Sequence, residues 1–160
     1  MQEWNDLFMA TAGASAALTG LIFVGISINL TKILSIPGLP DRALISLVLL
    51  LNILVVSILF LVPKQTSNAQ GVELTIISLL VWIIIFRFDL RIFQSKERRY
   101  KMQYVFNFLV NQVATILFIF TGVTLMTGYA NSGYLIAPAI ILSTIKSVLD
   151  GWVLLVEINR

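Results

Sequence analysis

The sequence predicts an all-α protein, a polytopic transmembrane bundle of five membrane-spanning helices forming one domain over residues 1–160. Three observations predict it. The chain is 58% hydrophobic and only 12% charged, whereas a soluble domain carries about 25% charged residues, so too little polar surface exists to face water on every side. The mean hydropathy is +0.94. The apolar residues also fall into long runs, separated by proline, glycine and charge, that approach the roughly 20 residues needed to cross about 30 Å of hydrocarbon as a helix.

The first helix is expected over residues 7–30, which hold no charge. The residues before it include Glu3 and Asp6 but no Lys or Arg. A secretory signal begins with a basic segment, so a retained helix is expected. The stretch Ser35-Ile-Pro-Gly-Leu-Pro40 forbids continued helix. The second helix follows over 43–62, with Asp41 placed for its N-terminus and Pro63 to stop it. A polar loop is read over 64–71. The third helix, over 72–93, carries the weakest signal: its uncharged core, 74–86, is too short to span unless Arg87 snorkels toward a surface. A charged connector covers 94–101. The fourth helix is expected over 104–128, a turn over 129–133, and the fifth helix over 134–156, with Pro138 tolerated in its first turns.

Lys and Arg placement sets the orientation. With the connector in the cytoplasm, the N-terminus lies outside and the C-terminus inside. Lys32, Arg42, Arg91, Lys96, Arg98, Arg99, Lys101 and Arg160 are then cytoplasmic, and Lys64 alone is outside. Trp4, Phe8, Tyr129 and Tyr134 fall at one interface, and Tyr100, Tyr104 and Trp152 at the other, as aromatic belts require. Arg91, Lys96, Arg98, Arg99 and Lys101 are expected to meet anionic lipid headgroups on the cytoplasmic side, rather than nucleic acid.

Two sets of residues break the rules of an oily solvent. Lys146 lies near the middle of the fifth helix and Asp150 one turn beyond it. Each charge costs about 2.5–3.5 kcal/mol at the centre of a membrane helix. A spacing of four places them on one face, where they neutralise each other. Ser143 and Ser147 share that face, and Glu157 extends it. Asn107 and Asn111 on the fourth helix, with Gln103, Gln112 and Thr115, and Asn52 on the second, supply buried amides and a hydroxyl that need partners. These residues read either as an ion pair that fixes helix packing or as a polar path for ions or small solutes. The second set is the small-residue run Ala10, Gly13, Ala14, Ala17 and Gly20 on the first helix. Small residues four apart let helix backbones approach closely, either within a subunit or between copies.

No catalytic residue, metal ligand set or cofactor is expected. The chain has no Cys and no His, which removes thiolate and imidazole chemistry and zinc sites. A Ser–Lys dyad at Ser143 or Ser147 with Lys146 is disfavoured, because Asp150 keeps the lysine charged and unfit as a base. Asp89 is the one further acid available for a two-carboxylate site, and it reads as nearer the surface. No glycine-rich phosphate loop is present.

The segment from Trp4-Asn-Asp-Leu-Phe8 to Ala16-Ala-Leu-Thr-Gly-Leu-Ile-Phe-Val-Gly-Ile-Ser-Ile-Asn-Leu30, with Arg42-Ala-Leu44 and Leu61-Val-Pro63, resembles a group of small bacterial multi-spanning proteins. The resemblance covers the first half of the chain and implies a bacterial inner-membrane location without an activity. Two functions are therefore expected in competition. One is a homo-oligomeric channel or pore for ions or small solutes, lined by the polar fifth helix or the small-residue first helix. The other is a non-conducting accessory protein that binds another membrane protein through the first helix and the basic connector.

Overall fold

The computed structural model describes residues 4–95, 101–128 and 132–158. They form six helices: α1 (Asn5–Ile28), α2 (Leu30–Ser35), α3 (Leu39–Leu61), α4 (Ser67–Ser95), α5 (Lys101–Met126) and α6 (Ser132–Ile158). All except the short α2 are long and apolar enough to cross a membrane. No strand occurs among the described residues.

The helix ends follow local chemistry and shift several expected boundaries. α1 ends at Ile28, not at residue 30, because the chain breaks at Asn29 (φ −108°, ψ 15°), whose side-chain amide turns back to donate to the Gly25 carbonyl at 3.1 Å. A separate helix, α2, then forms between the end of the expected first helix and the Ser35–Pro40 turn. Gly38 adopts φ 82°, a left-handed conformation that costs glycine nothing, and sends the chain into α3. Pro40 is therefore the second residue of α3 rather than preceding it, in the first turn where its missing N–H does no harm. Asp41 also sits in that first turn without a capping bond. It pairs instead with Arg91 at 3.6 Å.

The third span is full length. The expected loop over 64–71 is helical from Ser67 onward, because Thr66 accepts a bond from the Ala69 N–H at 3.3 Å and its carbonyl takes the Gln70 N–H at 3.1 Å. These bonds satisfy groups that a helix N-terminus leaves open. The added turn brings the membrane-crossing segment to Ser67–Phe93.

α3, α4, α5 and α6 pack in a closed ring, each against the next, and α1 lies outside the ring along α3 with a slighter touch on α6. Neighbouring spans of the ring run antiparallel, whereas α1 runs antiparallel to α3 and parallel to α6. Trp4, at the N-cap of α1, meets Tyr134 of α6 edge-on at 5.0 Å, and Phe8 stacks on Phe60 of α3 at 4.7 Å. At this far end the interior is apolar, built from Phe8, Val56, Phe60, Phe118, Leu125 and Ile136. α4 and α5 approach closest at Gly71 and Gly122. A Cβ at Gly71 would lie 2.8 Å from the Gly122 carbonyl oxygen, and one at Gly122 would lie 2.9 Å from the Thr75 nitrogen. Only hydrogen fits there. At the opposite end, next to the 96–100 connector, apolar clusters at Ile45, Leu49, Ile85 and Ile92 and at Ile33, Leu39, Ala43 and Leu154 are joined by a polar group of side chains.

Candidate functional site

The polar group is assembled by four helices at the connector end. α6 contributes Lys146 and Asp150, both 5% exposed, and the lysine ammonium donates to the Asp150 carboxylate one turn on. α4 contributes Asp89, 7% exposed. α5 holds that carboxylate from two sides: the Asn111 amide donates to one oxygen at 2.9 Å and the Gln112 amide to the other at 3.1 Å. α3 contributes Arg42, whose guanidinium lies 5.8 Å from the centre of the Tyr104 ring.

These groups border one crevice of about 20 Å³, lined by Arg42, Asp89, Tyr104, Asn107, Asn111, Lys146 and Asp150 with Ile45, Ile92 and two phenylalanines. That is room for a water molecule. Two cationic and two anionic side chains line it: Lys146, Asp150 and Asp89 are buried and Arg42 is half-buried. Opposite charges in one crevice suit its place within the membrane-spanning segments, where an unpaired charge is expensive.

A line of polar groups continues from the crevice toward the middle of the bundle. Ser147 donates to the Ser46 carbonyl and ties α6 to α3. In an antiparallel pair, four residues back along α6 match four forward along α3, so Ser143 stands level with Leu50, one half-turn short of Asn52. Both Ser143 and Asn52 are buried, and neither the Ser143 hydroxyl nor either end of the Asn52 amide has a hydrogen-bond partner among the described residues. The Asn111 carbonyl oxygen is likewise buried and unpartnered. Farther along, Thr11 of α1 and Ser57 of α3 share a bond at 2.8 Å. Beyond that level the apolar cluster around Phe8, Phe60 and Phe118 fills the interior.

The structure thus brings Lys146, Asp150, Asn107 and Asn111 together, and buries Ser143, Ser147 and Asn52 along the same seam. The polar face of α6 is used inside the subunit, against α3 and α5, and not on its outside. The amides of α5 reach α4 rather than α6: Asn111 and Gln112 bind Asp89, which reads from sequence as a near-surface acid. The signal for Asp89 is its register, since it shares a helical face with Ile85 and Ile92, both buried, whereas Arg87 and Arg91 on either side are exposed. Arg42 and Tyr104 also join the site without having been singled out for it.

The small residues of α1 behave differently. Ala10, Gly13, Ala14, Ala17 and Gly20 are all exposed, and a Cβ added at Gly13 or Gly20 would meet nothing within 4 Å. α1 packs on α3 through Phe8, Thr11 and Ser15 instead. Of the expected headgroup-binding residues, Arg91 is exposed and pairs with Asp41. Lys96, Arg98 and Arg99 lie outside the described residues, and Lys101 begins α5. Among the described residues no His, Cys, Asp or Glu group is arranged to hold a metal ion. No protein-family model, curated protein or solved structure matches this chain.

Proposed function

We propose that this is a permeation protein of the membrane that passes ions or small solutes along the polar seam inside each subunit, with several copies assembled through α1. The observation that carries the reading is the buried cluster of Lys146, Asp150 and Asp89 on a water-sized crevice within the candidate membrane spans. Ionisable groups held there at several kcal/mol each mark substrate and ion pathways. Asn52 and Ser143 extend the line with hydrogen-bonding capacity that the described residues leave unused, as groups that exchange bonds with a moving species must. The far half, sealed by Phe60, Phe118 and Ile136, is then the gate, and conduction requires those side chains to part. The location inferred is a bacterial inner membrane with the connector end in the cytoplasm, supported by the Lys and Arg distribution and by the resemblance drawn from the sequence.

Reconstitution tests this. Purified protein in liposomes is expected to pass at least one of K⁺, Na⁺, H⁺, Cl⁻ or a small neutral solute. The double variant Lys146→Met/Asp150→Leu, which replaces the pair with apolar groups that keep the fold, is expected to lose that flux while retaining its helical spectrum and mass. Equal flux from the double variant, or none from the parent for the whole panel, overturns the reading.

A second reading is favoured by the uncovered small-residue face of α1, which suits close packing against a transmembrane helix of another protein. An accessory protein of this kind conducts nothing and co-purifies with a distinct membrane partner. Gly13→Leu with Ala17→Leu releases that partner and leaves the subunit folded.

A further inference from the structure

We propose that a groove between α1 and α6, beside α2, binds one acyl chain of an anionic phospholipid from the bilayer. The groove has a volume of about 240 Å³ and is walled by Ile22 and Gly25 of α1, Ile33 of α2, and Gly151, Trp152 and Leu155 of α6. It is independent of the polar seam, and it stands or falls whether or not the protein conducts.

Four features select the occupant. The walls are hydrocarbon and glycine, with the Trp152 indole as the polar exception, and most of them belong to membrane-spanning segments. A polar solute has nothing to bind there. Second, the groove opens on the outer face of the bundle, where its wall residues Leu21, Trp152 and Leu155 are exposed, so an acyl chain of the surrounding bilayer reaches it directly. Third, glycine opens it from both sides. A Cβ at Gly25 would reach only Leu155 at 4.0 Å, and one at Gly151 would press on Ile22 at 3.3 Å. Fourth, the mouth is built for an anionic headgroup. Trp152 is 66% exposed, an amphipathic ring of the kind that sits at headgroup level. Lys32 is exposed on α2 next to the wall residue Ile33, and a basic side chain near the surface attracts anionic lipid. The tail lies in the groove while the phosphate meets Lys32.

Bromine on an acyl chain quenches tryptophan fluorescence at short range, and Trp152 lies in the wall. The full-length chain carrying Trp4→Phe and Trp82→Phe leaves Trp152 as the reporter. In phosphatidylcholine nanodiscs doped with brominated lipid, brominated phosphatidylglycerol is expected to quench Trp152 at about one-fifth the mole fraction needed with brominated phosphatidylcholine, the effect of one basic residue near the surface. Lys32→Ala is expected to abolish that preference. Gly25→Leu fills the groove and is expected to remove most of the preference for phosphatidylglycerol, the exposed face of Trp152 keeping the quenching that bulk lipid gives. If Gly25→Leu loses its helical spectrum, Leu155→Phe fills the groove from the opposite wall. Equal quenching by the two lipids in the parent overturns the proposal. So does an unchanged preference in a folded groove-filling variant, or a dimer in which Trp152 is shielded from both lipids, which assigns the groove to a second copy.

Discussion

The two ends of this bundle solve the same packing problem with different materials. At the far end, Phe8 on Phe60, the cluster around Phe118 and the close contact of Gly71 with Gly122 fill the interior with hydrocarbon and backbone, and the buried hydroxyls are bonded, Ser57 with Thr11 and Thr121 to the Leu117 carbonyl. At the connector end, Arg42, Asp89, Lys146 and Asp150 sit among amides around a crevice, and several buried polar atoms along the seam lack protein partners. Lipid drives neither arrangement hydrophobically, since acyl chains are as apolar as leucine. Close fit holds the first end. Compensated charge holds the second, and it holds only while every partner is present. The lesson is that the polar end is dispensable as apolar packing but indispensable once charged, which makes it the place where function is retained at the expense of stability.

The sharpest way to break the polar end is Lys146→Ala. It strands Asp150 beside Asp89, and removing one partner of a buried pair costs about 3–5 kcal/mol. Unfolding of the purified protein in detergent should shift by that amount, and Asp150→Leu added to Lys146→Met should restore most of it. If the alanine variant unfolds like the parent, the pair is solvated and the compensation argument fails. The apolar end is tested by Gly122→Ala. Its Cβ meets backbone at 2.9 Å and 3.0 Å, contacts that no rotamer change relieves, so a loss of about 1–3 kcal/mol is expected, read from the same unfolding transition. The smallest effect has the opposite sign. Asn52→Leu removes a buried amide that bonds to none of the described residues and is expected to raise stability by about 1 kcal/mol while reducing flux in liposomes. A destabilised Asn52→Leu would show that the amide is satisfied and remove it from the seam.

Much of this was legible before any coordinates. Charge-free length located the membrane-crossing segments, and the four-residue spacing of Lys146 and Asp150 fixed their pairing. What escaped the sequence escaped for physical reasons. Membrane helices are apolar on the lipid side and on the protein side, so periodicity does not say which face is buried. The small residues of α1, read as a contact surface, are exposed, with open space at Gly13 and Gly20, whereas a tight backbone approach uses Gly71 and Gly122, which stand out in neither helix. Asp89 was hidden by the two arginines around it, which mark a water-facing segment in composition while the helix turns the acid inward. The start of α4 at Ser67 was missed because a single threonine, Thr66, caps a run that reads as loop.

The position of the counter-ions has a consequence for how the chain enters the bilayer. α6 carries the partner of Lys146 one turn away on the same helix, so it crosses the translocon as a self-neutralised zwitterion and needs no earlier helix to receive it. Asp89 has no such provision. Its hydrogen-bond donors arrive with α5, so the α4–α5 hairpin is expected to leave the translocon as a unit. A truncation ending before Asn111 should stall at insertion, where one ending before Lys146 should not.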